Sequence, residues 1–258
     1  MIRTISGTTP LLISIPHAGT SIPDEVRLSM CDEVDKLRDT DWYVDRLYHF
    51  AEDMGASLVK SDISRYVIDL NRSHTDESLY PGRFTTGLCP TTTFSGTALY
   101  STPEKLSKSE IDKRIAKYWM PYHVFIEQEL ERIKSTHGFV ILLDAHSIAS
   151  VVPNLFAGRL DDLNFGTNGG KSCSPQLIQW LEIGNDQRFS TILNGRFKGG
   201  FITRHYGCPQ SNIHAIQLEI SQACYMNEEH YSWHDIKARE LCDYLQQLCD
   251  RLMSWQPK

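Results

Sequence analysis

The sequence has no long apolar run, no CxxC pair and no excess of basic residues. None of its apolar stretches approaches the roughly 18 residues of a membrane-spanning helix. Proline and glycine interrupt the first 19 residues before a signal-peptide core is complete, so we expect neither export nor a membrane span. The formal net charge of −6 leaves no general positive surface for phosphate groups, and nucleic acid is therefore not an expected partner.

The 7 cysteines are an odd number and are scattered along the chain. Reduced thiols are the simplest interpretation, and they predict a cytoplasmic protein. With 258 residues, 41% of them hydrophobic and 22% charged, the composition fits one α/β domain over residues 1–258. No heptad or self-complementary strand edge indicates an oligomer, so the oligomeric state is left open.

Apolar runs and helical periodicity predict the order of the secondary structure. Strands are expected at 11–16, 56–62, 65–70, 139–144 and 215–220, with a further strand and two tight turns in 192–207. Helices are expected at 41–54, 105–134, 175–184 and 233–254, the second interrupted at Pro121 and the last burying Ile236, Leu241, Leu245 and Leu248. Residues 73–103 and 157–174 are predicted loops.

Two histidines follow apolar strands. His17 ends the run LLISIPH, and His146 ends the run FVILLDAH. Strand ends are where α/β sheets bind ligands, and two histidines at equivalent ends favour a bound divalent metal over two independent core histidines. Asp144 lies two residues before His146, on the same strand face, and is expected to orient an imidazole.

A carboxylate ligand and a separate carboxylate base complete this prediction. The ligand is expected in DTDWYVD, where Asp41 is preferred and Asp39 and Asp45 are alternatives. Each of these aspartates could instead have a purely structural role, as a cap of the following helix. Glu219 lies inside the apolar run AIQLEI, where a buried unpaired carboxylate would cost several kcal/mol. We expect Glu219 to be the general base, which takes a proton from water and returns it to the leaving nitrogen.

Several arginines predict a small-molecule substrate with one or more carboxylates, which guanidinium groups bind bidentately. The candidates are Arg65, Arg72 and Arg204, while surface salt bridges explain Arg83, Arg159 and Arg196 equally well. Together these residues indicate a metal-dependent hydrolase. A cysteine nucleophile at Cys89, Cys173 or Cys208 is disfavoured, since the metal set already accounts for hydrolysis.

Nine motifs taken together resemble the N-formylglutamate amidohydrolase (deformylase) family. They are IPHAG, DTDWYVDRLY, SRYVIDLNR, LYPGRFTTGLCP, YWMPYH, LLDAHSI, GRLDDLNFGT, NGRFKGGFITRHYG and QLEISQ, and they run from about residue 10 to residue 228. The resemblance implies hydrolysis of N-formyl-L-glutamate to formate and L-glutamate, a step of bacterial histidine degradation. The competing hypotheses are a related metal-dependent deacylase of another N-acyl amino acid and a non-catalytic binding protein of the same fold.

The resemblance also implies a fold and a ligand set. The family is similar in fold to zinc carboxypeptidases, aspartoacylases and other phosphorylase/hydrolase-like proteins, which implies one three-layer domain around a mixed central sheet. It implies that His17, Asp41 and His146 hold one divalent ion, zinc or another such as cobalt, and that Glu219 is the base. The HxxE of zinc carboxypeptidases is missing, because Thr20 stands three residues after His17.

The substrate contacts follow by analogy with aspartoacylases, in which an Asn-Arg pair contacts the substrate. Asn71 and Arg72 of the similar DLNR stretch would hold the α- or γ-carboxylate. Arg65 would polarise the formyl oxygen or bind the second carboxylate, and Arg204 is a further candidate for a carboxylate contact.

Overall fold

A seven-stranded mixed sheet forms the centre of the protein. The computed structural model describes residues 2–77, 85–101, 106–183 and 186–257. The strands of this sheet are β1 (Ile2–Ile5), β2 (Leu11–Ile15), β3 (Ser57–Ser61), β4 (Val140–Ile148), β5 (Leu163–Gly166), β6 (Thr191–Leu193) and β7 (Ile213–Ser221), in the spatial order β1-β3-β2-β4-β7-β5-β6. A small hairpin pairs β8 (Met226–Asn227) with β9 (Ser232–Trp233).

The four inner strands β3, β2, β4 and β7 run parallel, whereas β1 and β5 pair antiparallel to their neighbours. The predicted α/β fold with a mixed sheet is therefore confirmed. Strands β2 and β4 are buried along their whole length, as expected of parallel strands covered on both faces.

Helices cover both faces of the sheet. They are α1 (Asp24–Arg27), α2 (Val44–Leu47), α3 (Lys108–Arg114), α4 (Met120–His137), α5 (Pro175–Leu181), α6 (Phe201–Tyr206) and α7 (Asp235–Ser254). On one face, odd-numbered residues of β2 such as Ile13 pack in a cluster with α2, α5 and α7. On the other face, Leu12 and Leu142 pack in a second cluster with α4 and α6.

The predicted strand at 65–70 is wrong. These residues form turns instead, and Tyr66, Val67 and Ile68 are all buried rather than alternately exposed. Arg65 and Asp69, four residues apart, pair with each other, as side chains on one side of a helical turn do. The apolar residues between Arg65 and Asp69 give the stretch the composition of a strand. All of them are buried, however, so the alternating exposure of a half-buried strand is absent.

Most other predicted elements are present with different bounds. The predicted helix 41–54 is reduced to α2 followed by turns, and Ile236 of α7 is 69% exposed rather than buried. The loop predicted at 157–174 contains β5, and the glycine-rich segment 192–207 contains α6, which the sequence reading missed. Part of the motif LYPGRFTTGLCP, including Arg83, lies outside the described residues.

The interruption predicted near Pro121 takes the form of a π-helical turn over Ile115–Trp119, which joins α3 to α4. Pro121 lies in the first turn of α4, directly after this π-helical turn. All seven cysteines lie in the described residues, and none forms a disulfide. Among the described helices, none has the length and apolar character required to cross a bilayer.

Candidate metal and catalytic site

The predicted site residues gather at the carboxyl ends of β2, β4 and β7. In the parallel pairing of β4 with β7, His146 lies opposite Glu219 and Asp144 lies opposite Gln217. Alternation along each strand places these four side chains on the same face of the sheet. His146 and Glu219 line a cavity of about 100 Å³, and His17 lines it from the loop after β2.

The two nitrogens of His17 have different surroundings. Nε2 lies 2.7 Å from Oδ1 of Asp69, whereas Nδ1 is buried, has no hydrogen-bond partner among the described residues and lies 3.7 Å from Oδ2 of Asp41. A neutral imidazole that donates Nε2–H to Asp69 presents the lone pair of Nδ1 towards Asp41. The orientation of His17 is therefore fixed by an aspartate on its far side.

His146 repeats this arrangement. Its Nε2 lies 3.1 Å from Oδ1 of Asp144, and its Nδ1 lies 2.9 Å from Oδ2 of Asp41. Asp144 therefore contacts the imidazole as the strand alternation predicts. The rings of His17 and His146 have centroids 4.9 Å apart, so both Nδ1 atoms face the same carboxylate.

One nitrogen from each histidine and one oxygen of Asp41 lie within 4.8 Å of one another, and all three residues are buried. Of the alternatives, Asp39 accepts a hydrogen bond from the Phe94 amide and Asp45 pairs with Lys60. The donor set fits a divalent metal for two reasons. The buried Nδ1 of His17 has no other partner in the described part of the chain, and both histidines hold carboxylates at the opposite nitrogen, as metal-binding histidines usually do.

The charges of this cluster are strongly coupled. Burial lowers the pKa of His17, and nearby Arg65 adds to this effect. Burial also disfavours charged His146, but the carboxylates of Asp144 and Asp41 outweigh it and raise its pKa well above the ordinary value. A proton held on His146 beside Asp41 occupies the place that a cation would take, so binding of a metal would release it.

Glu219 faces the same cavity and is buried. Burial raises its pKa to about 8, and the carboxylates of Asp41 and Asp144 contribute in the same direction. Gln217 donates a hydrogen bond of 3.2 Å to its Oε2. A carboxylate whose pKa lies near neutrality suits a group that must take up and release a proton.

Asn71 lies beneath His146. Its Nδ2 donates to Oδ2 of Asp144 at 3.0 Å, its Oδ1 accepts from the Ile202 amide, and its Nδ2 also lies 2.8 Å from Nε2 of His146. The close approach requires glycine at position 200, since a Cβ there would lie 2.4 Å from Nδ2. Asn71 is thus positioned to support Asp144 and His146, and its predicted contact with substrate stays a prediction.

Among the described residues, three arginines line the cavity, namely Arg65, Arg72 and Arg196. Arg65 donates to Oδ2 of Asp69 at 2.8 Å and lies 3.5 Å from Oδ1 of Asp41. Arg204 is not among the described residues that line this cavity, and its Nε donates to the Gly199 carbonyl instead. Arg196, for which a surface salt bridge was an equal interpretation, lies in the wall of the cavity beside Leu155 and Phe197.

Asp69 is the main site residue that the sequence reading missed. It is fully buried, and although burial disfavours its charge, His17 and Arg65 hold its pKa well below the usual range. The signal was available, because an aspartate inside the apolar run RYVIDL needs a partner as much as Glu219 does.

A buried carboxylate that faces a histidine–aspartate cluster across a cavity is an arrangement suited to amide hydrolysis. Comparison with known proteins agrees. The pattern of the N-formylglutamate amidohydrolase family matches residues 9–226, and the chain belongs to this family. The N-formylglutamate deformylase of Pseudomonas aeruginosa is 46% identical over 252 residues, which cover 96% of this chain and 94% of the relative. The deformylase of Pseudomonas putida is 45% identical over the same shares.

Solved structures show the same fold. The crystal structure of N-formylglutamate amidohydrolase from Ralstonia eutropha superposes with a TM-score of 0.83 at 24% identity, covering 97% of this chain and 95% of that one. A gene product from Agrobacterium tumefaciens gives a TM-score of 0.71 at 17% identity, covering 98% and 94%. At these identities the two structures support the architecture alone.

Proposed function

We propose that this protein is a metal-dependent amidohydrolase that hydrolyses N-formyl-L-glutamate to formate and L-glutamate. The observation that carries the proposal is the convergence of His17, Asp41 and His146 beside Glu219 in one cavity. The substrate follows from the two relatives named N-formylglutamate deformylase, which are aligned over 96% of the chain.

His17, Asp41 and His146 would hold one divalent ion, for which zinc is the first choice and cobalt a second. Such an ion supplies a Lewis acid for the amide carbonyl and lowers the pKa of water. Asp69 and Asp144 keep the two imidazoles oriented from behind. A metal site of this kind at strand ends also supports a fold of the zinc-carboxypeptidase-like class. We propose this fold class together with the metal site.

Glu219 is the proposed general base. Its carboxylate takes the proton of the attacking water and then delivers it to the nitrogen of the departing glutamate. The backbone register holds it opposite His146, and Gln217 orients one of its oxygens. Burial disfavours its charged form, which increases its affinity for the proton that it has to carry.

The arginines divide by position. Arg65 is tied to Asp69 and Asp41 close to the histidines, so it suits the oxygen on which charge develops during attack. Arg72 and Arg196 line other parts of the cavity and suit the two carboxylates of a glutamate derivative. In this assignment, Arg196 takes the carboxylate-binding role that the sequence predicted for Arg204.

A deacylase of another N-acyl amino acid is the second candidate. The formyl group is preferred because both relatives are named N-formylglutamate deformylase. A non-catalytic binding protein is a weaker candidate, because a binding site has no use for a buried carboxylate base opposite a histidine.

The experiment that tests the proposal is release of formate from N-formyl-L-glutamate by purified protein, before and after chelation and after addition of zinc or cobalt. We expect turnover that chelation abolishes and metal restores. N-acetyl-L-glutamate serves as the matched substrate and should react much more slowly. Turnover that is insensitive to chelation would reject the metal, and faster reaction of the acetyl compound would reject the formyl preference.

A further inference from the structure

The motif YWMPYH at 118–123 has no part in the site described above, yet its side chains contact the segment that carries much of that site. This segment, residues 65–72, is called the site segment here, and it bears Arg65, Asp69, Asn71 and Arg72. It forms turns and belongs to no helix or strand. Its buried carbonyl groups therefore need partners other than a regular backbone ladder.

Three side chains of the α3–α4 region supply those partners. Nη1 of Arg114 donates to the carbonyl of Val67 at 3.0 Å. Nε1 of Trp119 donates to the carbonyl of Arg72, and Nε2 of His123 lies the same distance, 2.9 Å, from the carbonyl of Leu70. Within the described residues, none of these three carbonyls accepts a backbone N–H.

The π-helical turn is what aligns the three donors. In a regular α-helix, residues 114, 119 and 123 would be spread over about half of the circumference, because successive side chains are about 100° apart. A π-helical turn takes up one extra residue. The three residues then occupy places equivalent to i, i+4 and i+8, which share one face of a helix.

The donors are themselves held rigidly. Trp119 stacks on His123 with ring centroids 3.7 Å apart, and it also contacts Phe201 at the start of α6. Nδ1 of His123 accepts from the hydroxyl of Tyr206 at 2.9 Å, which leaves Nε2 as the protonated nitrogen that donates to Leu70. The direction of each hydrogen bond is thereby fixed.

We propose that Arg114, Trp119 and His123 are positioning residues, which act through the site segment and touch neither substrate nor metal. Trp119 acts on Arg72, whose carbonyl it binds, and so affects the hold on a substrate carboxylate. His123 acts on Leu70, between Asp69 and Asn71, and so affects the orientation of the two histidines. The inference rests on the proposed function.

The main experiment compares Trp119→Phe with Trp180→Phe. Each substitution removes one indole N–H that donates to a backbone carbonyl at 2.9 Å. The indole of Trp180, in α5, donates to the carbonyl of Arg251 in α7, which lies outside the site segment. We expect Trp119→Phe to raise KM for N-formyl-L-glutamate about tenfold, as an unsatisfied buried carbonyl misplaces Arg72, with kcat changed less than threefold. Trp180→Phe should leave both constants unchanged.

Amide hydrogen exchange gives a readout that does not depend on activity. Trp119→Phe should increase exchange within residues 65–72 relative to Trp180→Phe. If the wild type releases no formate but this contrast is present, the proposed function fails and the positioning role stands. Equal exchange and equal KM in the two variants would overturn the positioning role, even in an active enzyme.

His123 offers a conservative rescue. His123→Gln keeps an N–H donor and an oxygen acceptor, whereas His123→Leu keeps neither. We expect the leucine variant to lower kcat about tenfold and the glutamine variant to recover most of it. Equal kcat in two folded variants would show that His123 only fills space, and so would contradict the inference.

Discussion

Four histidines are buried in the described structure, and they are of two kinds: His17 and His146 lie with Asp41 in a cluster that could hold a metal, whereas His123 and His214 belong to no such cluster among the described residues. His17 and His146 hold carboxylates at Nε2 and turn Nδ1 towards Asp41. His123 contacts a backbone carbonyl and a tyrosine hydroxyl, and Nδ1 of His214 accepts from the Ser174 amide. Burial lowers the pKa of His123 to about 3 and that of His214 to about 4.

The difference shows that burial does not identify a ligand, whereas the partner of the second nitrogen does. In a neutral imidazole, a carboxylate at Nε2 holds the proton on that nitrogen and leaves the Nδ1 lone pair directed at Asp41. At His123, neutral hydrogen-bond partners occupy both ring nitrogens, so no lone pair is available for a cation. The same residue type therefore serves chemistry in one place and packing in the other.

The largest effect is expected from His146→Ala compared with His214→Phe. Loss of one of three ligands should abolish metal binding and lower turnover by about a thousandfold or more, since a Lewis acid contributes several kcal/mol to such reactions. His214→Phe should retain metal and activity. Metal content by mass spectrometry and formate release measure both. A metal-free but fully active His146→Ala variant would break the comparison.

Glu219→Gln separates catalysis from metal binding. We expect metal content to stay near that of the wild type while kcat falls about 10²- to 10⁴-fold, because the amide cannot carry the proton. Glu129→Gln is the matched control, since Glu129 is also buried but binds Ser57 and Arg132 far from the cavity. Near-normal turnover of Glu219→Gln would remove the base assignment.

Asp69→Asn tests the carboxylate behind His17. We expect metal affinity to fall about 10- to 100-fold, the usual effect of losing such a partner. The control is Asp39→Asn, which alters a neighbouring, partly buried carboxylate that contacts neither histidine in the described structure. Competition with a chromogenic chelator measures the affinity, and an unchanged value for Asp69→Asn would contradict the role of Asp69.

The smallest effect concerns stability against pH at His123. Its pKa is lowered from 6.5 to about 3 by burial, so the unfolded chain binds the proton more readily. Stability from this group is complete above about pH 6.5 and is lost as pH falls towards 3. Wild type should lose about 2 kcal/mol more than His123→Gln between pH 7 and pH 5 in urea unfolding. Parallel losses in both proteins would show that His123 is not the titrating group.

The strands that carry the site could be predicted because their signal is local. The apolar runs before His17 and His146 and around Glu219 appear in the structure as β2, β4 and β7. The alternation of β4 also placed Asp144 beside His146. Parallel strands that are buried on both faces form nearly continuous apolar runs, which is why these three strands could be recognised in the sequence.

The remaining parts depend on residues far apart in the chain. Asp69 meets His17 across 52 positions, and the run RYVIDL has the composition of a strand although it forms turns. The choice of Arg196 over Arg204 depends on how the chain turns before α6, where Gly199 has a φ of +112°. No periodicity in the sequence encodes either outcome.

The pairing of His146 with Glu219 across neighbouring parallel strands has an evolutionary consequence. Their separation is set by the spacing between two adjacent backbones, about 4.8 Å, rather than by any loop. Loops around the sheet can therefore lengthen, shorten or change composition over generations without disturbing the distance between Glu219 and His146. Substitutions at Leu155 or Phe197 in the cavity wall would then reshape the cavity while this distance is inherited unchanged.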